Sequence, residues 1–161
     1  MYSTTNYLKH ANKNPIQRFL IENFYRQLIN VLMPIKPIRI LDVGCGEGET
    51  IVKLKQTKIG KTLEGIDNSE DALRIGKGLY QGISIKSGDI YNLPYRDKSF
   101  DLLICTEVLE HLKNPRKALA ELRRVSSKYV LLSVPNEPFF IMANLLRGKY
   151  LRNRGNHPEH I

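Results

Sequence analysis

The stretch Ile38-Arg-Ile-Leu-Asp-Val-Gly-Cys-Gly-Glu-Gly48 runs an apolar strand directly into alternating glycines. Such a turn brings backbone close to a bound ligand, because side chains at 44, 46 and 48 would block either the turn or the ligand's approach. The helix that follows presents its N-terminus to the same place. The pattern points to a nucleotide-like cofactor.

The spacing narrows the ligand. A dinucleotide fold uses G-x-G-x-x-G, with a pyrophosphate cradled at the helix N-terminus. Here Gly44, Gly46 and Gly48 alternate, and Glu47 and Glu49 stand at the helix entry where that anion would sit. NAD and FAD are therefore disfavoured. Asp42 precedes the glycines and Asp67 closes the next apolar strand, close to the roughly 20-residue interval of a ribose-binding acid. Two carboxylates so placed suit a ligand with ribose hydroxyls and a positive charge.

Working outward, Asn14-Pro15 reads as the N-cap and first residue of a long helix on which Ile16, Phe19, Leu20, Phe24, Leu28 and Leu32 keep helical spacing as far as Pro34. Strand near 38–43, helix 48–58, strand 62–66, helix 70–79 and strand 83–87 follow. Then come strand 101–105, a helix opened by Asn114-Pro115 with Ala118, Leu119, Leu122 and Val125 on one face, and strand 129–134. This alternation predicts an α/β fold, a doubly wound parallel sheet covered by helices on both sides. Right-handed crossovers with a reversal after the third strand give the order 3-2-1-4-5 and place the ligand at the carboxyl ends of strands 1 and 2.

At these residues the chain resembles the class I S-adenosylmethionine-dependent methyltransferases, in particular the small-molecule and lipid-precursor group with an LDVGCGxG motif. Gly65-Ile-Asp-Asn-Ser69 is similar to that family's ribose-binding strand end, and Gly88-Asp-Ile-Tyr-Asn-Leu-Pro94 to its adenine-contacting loop. The segment 100–112 resembles its fourth strand and following turn, and 130–136 its fifth strand. Five elements in the family's order span residues 38–136. The resemblance implies S-adenosylmethionine as cofactor and methyl transfer to an O, N or C nucleophile of a small molecule or lipid precursor. It assigns cofactor contacts to Asp42, Gly44, Cys45, Gly46, Asp67, Asn68, Asp89, Ile90 and Thr106. Asp67 would accept from both ribose hydroxyls, Asp89 from the adenine amino group, and Asp42 would orient the glycine turn.

Transfer from a sulfonium needs an in-line approach and no obligatory base. For a hydroxyl acceptor, His111 beyond the fourth strand is the candidate general base. Glu107, Glu110 and His111 stand at i, i+3 and i+4, a candidate mixed O/N set for a divalent cation to which His157 or His160 would add a ligand. That segment resembles the metal-binding stretch of small-RNA terminal 2′-O-methyltransferases and of ubiquinone-pathway O-methyltransferases. The same string occurs widely without metal, so no metal is the expectation.

One domain is expected over residues 1–161: an entry segment 1–37, a cofactor-binding core 38–136, and a helix with a basic tail 137–161. The family's terminal β-hairpin is not expected, since nothing after Pro138 offers two strands, and the ending His-Pro-Glu-His-Ile161 reads as a fragment or shortened product. Residues 1–39 carry a net +5 and 138–161 a net +3 of the total +9, while the 98 between contribute +1. Basic flanks admit anionic partners, with nucleic acid not favoured. Phe139, Phe140, Ile141, Met142, Leu145 and Leu146, followed by Arg147, Lys149, Arg152 and Arg154, read as a core-packing helix or, alternatively, a lid or peripheral membrane anchor. The longest apolar run falls far short of the ~18 to 20 residues of a membrane span, and two cysteines without C-x-x-C spacing suit a reducing compartment; a cytoplasmic location is expected. Two rival readings stand beside the main one, a metal-assisted RNA 2′-O-methyltransferase and a non-catalytic cofactor- or partner-binding remnant.

Overall fold

A computed structural model describes residues 14–134. Helix α1 (Pro15–Ile35) begins where Asn14 Oδ1 accepts from the Ile16 and Gln17 N–H groups at 2.9 and 3.5 Å, with Pro15 at the first helical position. It runs through Pro34 and ends at Lys36, which is left-handed and donates its N–H to the Leu32 carbonyl. Then follow β1 (Arg39–Val43), α2 (Glu49–Gln56), β2 (Thr62–Asp67), α3 (Glu70–Leu79) and β3 (Ile85–Ser87). β4 (Phe100–Thr106), a 3₁₀ turn (Leu109–His111), α4 (Pro115–Val125) and β5 (Ser126–Ser133) complete the described chain. Ser69 and Asn114 cap α3 and α4 by accepting from the Ala72 and Lys117 N–H groups at 3.2 and 3.1 Å.

The five strands form one parallel sheet in the order β3-β2-β1-β4-β5, as the alternation predicts. β1 lies at the centre, with Asp42 in register with Gly65 of β2 and Ile104 of β4. The connection after β3 carries the chain across to the other side of β1, and in open parallel sheets such a reversal of strand order marks the ligand-binding region outside the carboxyl ends of the strands. Successive side chains on a strand alternate faces. Ile40, Leu102 and Ile104 therefore pack under α1 and α2 with Leu28, Leu32 and Leu54. Leu41, Val43, Leu103 and Cys105 pack under α4 with Leu122 and Val125. Leu32, Leu54 and Leu122 are wholly buried, each contributing about 1.5 to 3 kcal/mol relative to exposure.

The stripe on α1 is buried only in its second half, at Tyr25, Leu28 and Leu32, whereas Ile16, Phe19 and Leu20 are 65%, 60% and 50% exposed. Two strand bounds differ from expectation. β3 is shorter than 83–87, since pairing with β2 starts at Gly65 opposite Ile85. β5 begins at Ser126 rather than 129: α4 passes into the strand with no loop, and Ser127 Oγ donates to the Phe100 carbonyl at 3.0 Å. The helix over 139–146, the basic tail, His157, His160 and residues 1–13 lie outside the described residues. No helix among the described residues is long and apolar enough to cross a membrane.

Candidate cofactor site

The glycine turn leaves β1 by folding back onto β2. Gly44 and Cys45 both donate to the Ile66 carbonyl, at 2.7 and 3.1 Å, and Gly48 donates to the Cys45 carbonyl at 2.8 Å. Gly44 has φ +79°, and a β-carbon there would lie 2.3 Å from Val108 Cγ2, so neither the backbone nor the neighbour tolerates a side chain. A β-carbon on Gly76 of α3 would lie 2.2 Å from the Glu47 carbonyl oxygen. Val108 and α3 thus both crowd the turn, and it is held as a rigid backbone surface.

Asp67 closes the turn. Its Oδ2 accepts from the Gly46 N–H at 2.7 Å and its Oδ1 from the Ser69 N–H at 2.8 Å. A carboxylate offers about four lone-pair sites, so two remain for an external donor pair. Asn68, beside it, is exposed.

Asp42 sits beneath the turn, 2% exposed. It shares a strand face with Ile40 and hydrogen-bonds Thr50 of α2. Burial, then the nearby Asp67 charge, push its pKa up to about 7, against the lowering effect of the Thr50 bond. Thr50, itself buried, also hydrogen-bonds Tyr25 of α1, and desolvation drives that phenol's pKa upward. The Tyr80 hydroxyl donates to Glu49 Oε2, so Glu49 is engaged within the protein and Glu47 is buried. Thr50, Tyr25 and Tyr80 escape sequence reasoning because nothing in the local pattern links residues 25, 50 and 80. The one signal is the i+8 offset of Thr50 from Asp42 across a turn of known shape.

On the other side of β2, Asp89 is exposed, and its Oδ1 accepts from the Tyr91 N–H at 2.8 Å in an Asx turn. Its second oxygen remains for an external donor. Ile90 packs against the core cluster beneath α4. Thr106 ends β4 in register with Ser133.

The cysteines are buried free thiols. Desolvation raises the pKa of both, that of Cys105 to about 12, so neither is a nucleophile at neutral pH. Cys45 serves the turn by its size and its contact with Gly65. His111 is exposed in the 3₁₀ turn. Among the described residues no group of three or more His, Cys, Asp and Glu comes together as a metal site. Glu107, Glu110 and His111 are therefore not brought together as ligands. Glu107 adopts φ +57°, and its carboxylate instead accepts from Ser133 Oγ at 3.1 Å.

Residues 41–132 match the family model described as a methyltransferase domain. The chain belongs to the class I S-adenosylmethionine-dependent methyltransferases. This methyltransferase is 32% identical over 114 residues to norajmaline N-methyltransferase of Rauvolfia serpentina, covering 67% of this chain and 36% of that relative. It thus spans only about a third of that relative's length. Among solved structures, the YcgJ protein of Bacillus subtilis superposes with a TM-score of 0.65 at 24% identity, over 87% of this chain and 61% of that one, a likeness of fold. The plantazolicin methyltransferase BpumL, solved with a desmethyl plantazolicin analogue and S-adenosylhomocysteine, matches at 25% identity and a TM-score of 0.65, over 88% of this chain and 55% of that one.

Proposed function

We propose that this methyltransferase binds S-adenosylmethionine at the carboxyl ends of β1 and β2 and transfers its methyl group to an O, N or C nucleophile of a small molecule or lipid precursor. The observation that carries the reading is the Asp67 carboxylate, fixed by the Gly46 and Ser69 N–H groups beside a turn with no side chains in the way. The residues fit the cofactor: two lone-pair sites for ribose hydroxyls, a second carboxyl at Asp42, a third at Asp89, and bare backbone at Gly44 and Gly46.

S-adenosylmethionine, when bound, supplies an activated methyl on a sulfonium with a neutral leaving group. The chain's own contribution is binding and orientation. Asp67 holds the ribose, Asp89 and Ile90 the adenine, and the glycine turn with Asp42, Cys45 and Asn68 the region around the amino-acid end and ribose. Thr106 lines the proposed site beyond β4. The Asp67 carboxylate presents negative potential to a cationic ligand, which favours it over an anionic one. Where the acceptor is a hydroxyl, exposed His111 takes the proton at its imidazole nitrogen. Residues 38–136 form the cofactor-binding core of a single methyltransferase domain, in a cytoplasmic protein. Small-molecule acceptors are supported by the names of the relatives: a nitrogen acceptor for norajmaline N-methyltransferase and a desmethyl plantazolicin analogue in the BpumL complex.

Titration calorimetry of the 161-residue chain with S-adenosylmethionine tests the reading, with Asp67→Ala as control. Saturable binding that the substitution weakens at least about a hundredfold is expected, as for loss of two charged hydrogen bonds. A folded wild-type chain that binds nothing refutes the reading and favours a remnant without cofactor.

A further inference from the structure

The connection from β3 to β4 carries Asp89 and Ile90, yet it has no regular secondary structure to hold it. Its rigidity comes from α4. Arg124 uses all five of its N–H donors. Nε and Nη2 grip the two oxygens of Glu121, each at 2.8 Å, and the second Nη2 donor reaches the Leu93 carbonyl at 3.0 Å. Nη1 donates to the Tyr95 carbonyl and to Asp97 Oδ1, both at 2.8 Å. Glu121 Oε2 also accepts from the Leu93 N–H at 2.9 Å, so the N–H and C=O of one residue are both clamped. The Arg124 carbonyl in turn accepts from the Lys98 N–H at 2.9 Å. Further along, the Tyr91 hydroxyl accepts from the Asn114 N–H at 3.1 Å, and Lys117 lies 5.5 Å over the Tyr91 ring. The Tyr95 hydroxyl meets Glu64 of β2 at 2.9 Å.

This network exceeds what packing the loop requires. Leu93 is buried, and an apolar side chain alone would anchor that point. The guanidinium instead fixes the backbone orientation from Leu93 to Asp97, three residues beyond Ile90. A planar fork with five donors does this in one rigid unit, whereas an ammonium has three donors and no plane.

We propose that Glu121 and Arg124 are positioning residues for recognition of the adenine base: they hold the loop so that Asp89 is aimed at the exocyclic amino group. The inference rests on the proposed cofactor reading. It predicts that the pair governs discrimination between purines and not only stability.

The test measures affinity for S-adenosylhomocysteine and for its analogue with a 6-oxo purine, in the full chain and in Arg124→Lys and Glu121→Gln, with melting curves for each. The wild type is expected to prefer the adenine ligand by about tenfold or more, the worth of one charged hydrogen bond. In folded Arg124→Lys that preference should fall toward unity, with weaker loss in Glu121→Gln and no further loss when Asp89→Asn is added. A preference retained in both folded variants overturns the proposal while leaving the cofactor reading intact. If Arg124→Lys does not fold, Glu121→Gln alone decides by the same criterion. A wild type that binds both ligands equally overturns the aim of Asp89 and this proposal with it. A wild type that binds neither refutes the cofactor reading itself.

Discussion

The two walls of the proposed cofactor site are built by different means. The proposed ribose wall, from Asp42 through the glycine turn to Ser69, is held by backbone hydrogen bonds between neighbouring elements, by the Asp67 carboxylate on two backbone N–H groups and by the absence of side chains. The proposed adenine wall, from Gly88 to Asp97, is held by side chains of a helix some 30 residues downstream. A wall made of backbone fails when something is added to it, and a wall made of side-chain clamps fails when something is removed. Perturbing each wall in turn separates the two modes.

The largest effect is expected from Gly76→Ala. A β-carbon there meets the Glu47 carbonyl oxygen at 2.2 Å, and neither α3 nor the turn has a flexible end to give way. Overpacking against backbone should cost about 3 kcal/mol, the upper part of the usual range, read as a drop in denaturant midpoint at unchanged slope. An alanine variant of wild-type stability would mean the turn is soft, and the contrast between the walls would fail.

A graded effect is expected from pH. The folded-state pKa of Asp42 is raised to about 7, above its unfolded value. Between the two, the native state holds a proton that the unfolded state has released. The stability Asp42 contributes is therefore full at pH below about 4 and is lost as pH rises through 7, by on the order of 1 to 3 kcal/mol. Urea midpoints from pH 5 to pH 8 should fall in the wild type and flatten in Asp42→Asn. Thr50→Val, which removes the hydrogen bond that lowers this pKa, should move the decline to higher pH. A wild-type profile that is flat or rising would show that Asp42 is ionised throughout.

The contrast between the walls also explains what the sequence made legible. The glycine spacing, Asp67 at a strand end, and the caps Asn14, Ser69 and Asn114 are local signals, each interpretable within a few residues, and from them the strand order follows by chirality. Glu121 and Arg124 are invisible by the same logic: at i and i+3 on a helix they read as an ordinary surface ion pair. Only the fold reveals that Leu93 and Tyr95 lie beneath them. Thr50 and Tyr25 escape for a similar reason, since their bond joins two helices through the third dimension. The apolar spacing of Ile16, Phe19 and Leu20 gives the helix correctly but not their exposure, because helical periodicity says which residues share a face and not whether that face is covered. The fold of Glu107, with positive φ and a carboxylate turned to Ser133, is what keeps the Glu-x-x-Glu-His spacing from becoming a ligand set; spacing on a helix presumes helical dihedrals, and this residue lacks them.

The smallest effect belongs to Tyr91→Phe, which removes a single acceptor from the adenine wall. The Asn114 N–H loses its partner at 3.1 Å, but the site is exposed enough for water to replace the hydroxyl, so stability should change by only about 0.5 kcal/mol. The ring stays under Lys117. If the wall is one clamped unit centred on Arg124, cofactor affinity should barely move, within about twofold, while Arg124→Lys loses its base preference. A Tyr91→Phe variant that weakens binding as strongly as Arg124→Lys would show instead that the loop's grip is shared along its length, with the α4 N-terminus carrying as much of it as the guanidinium.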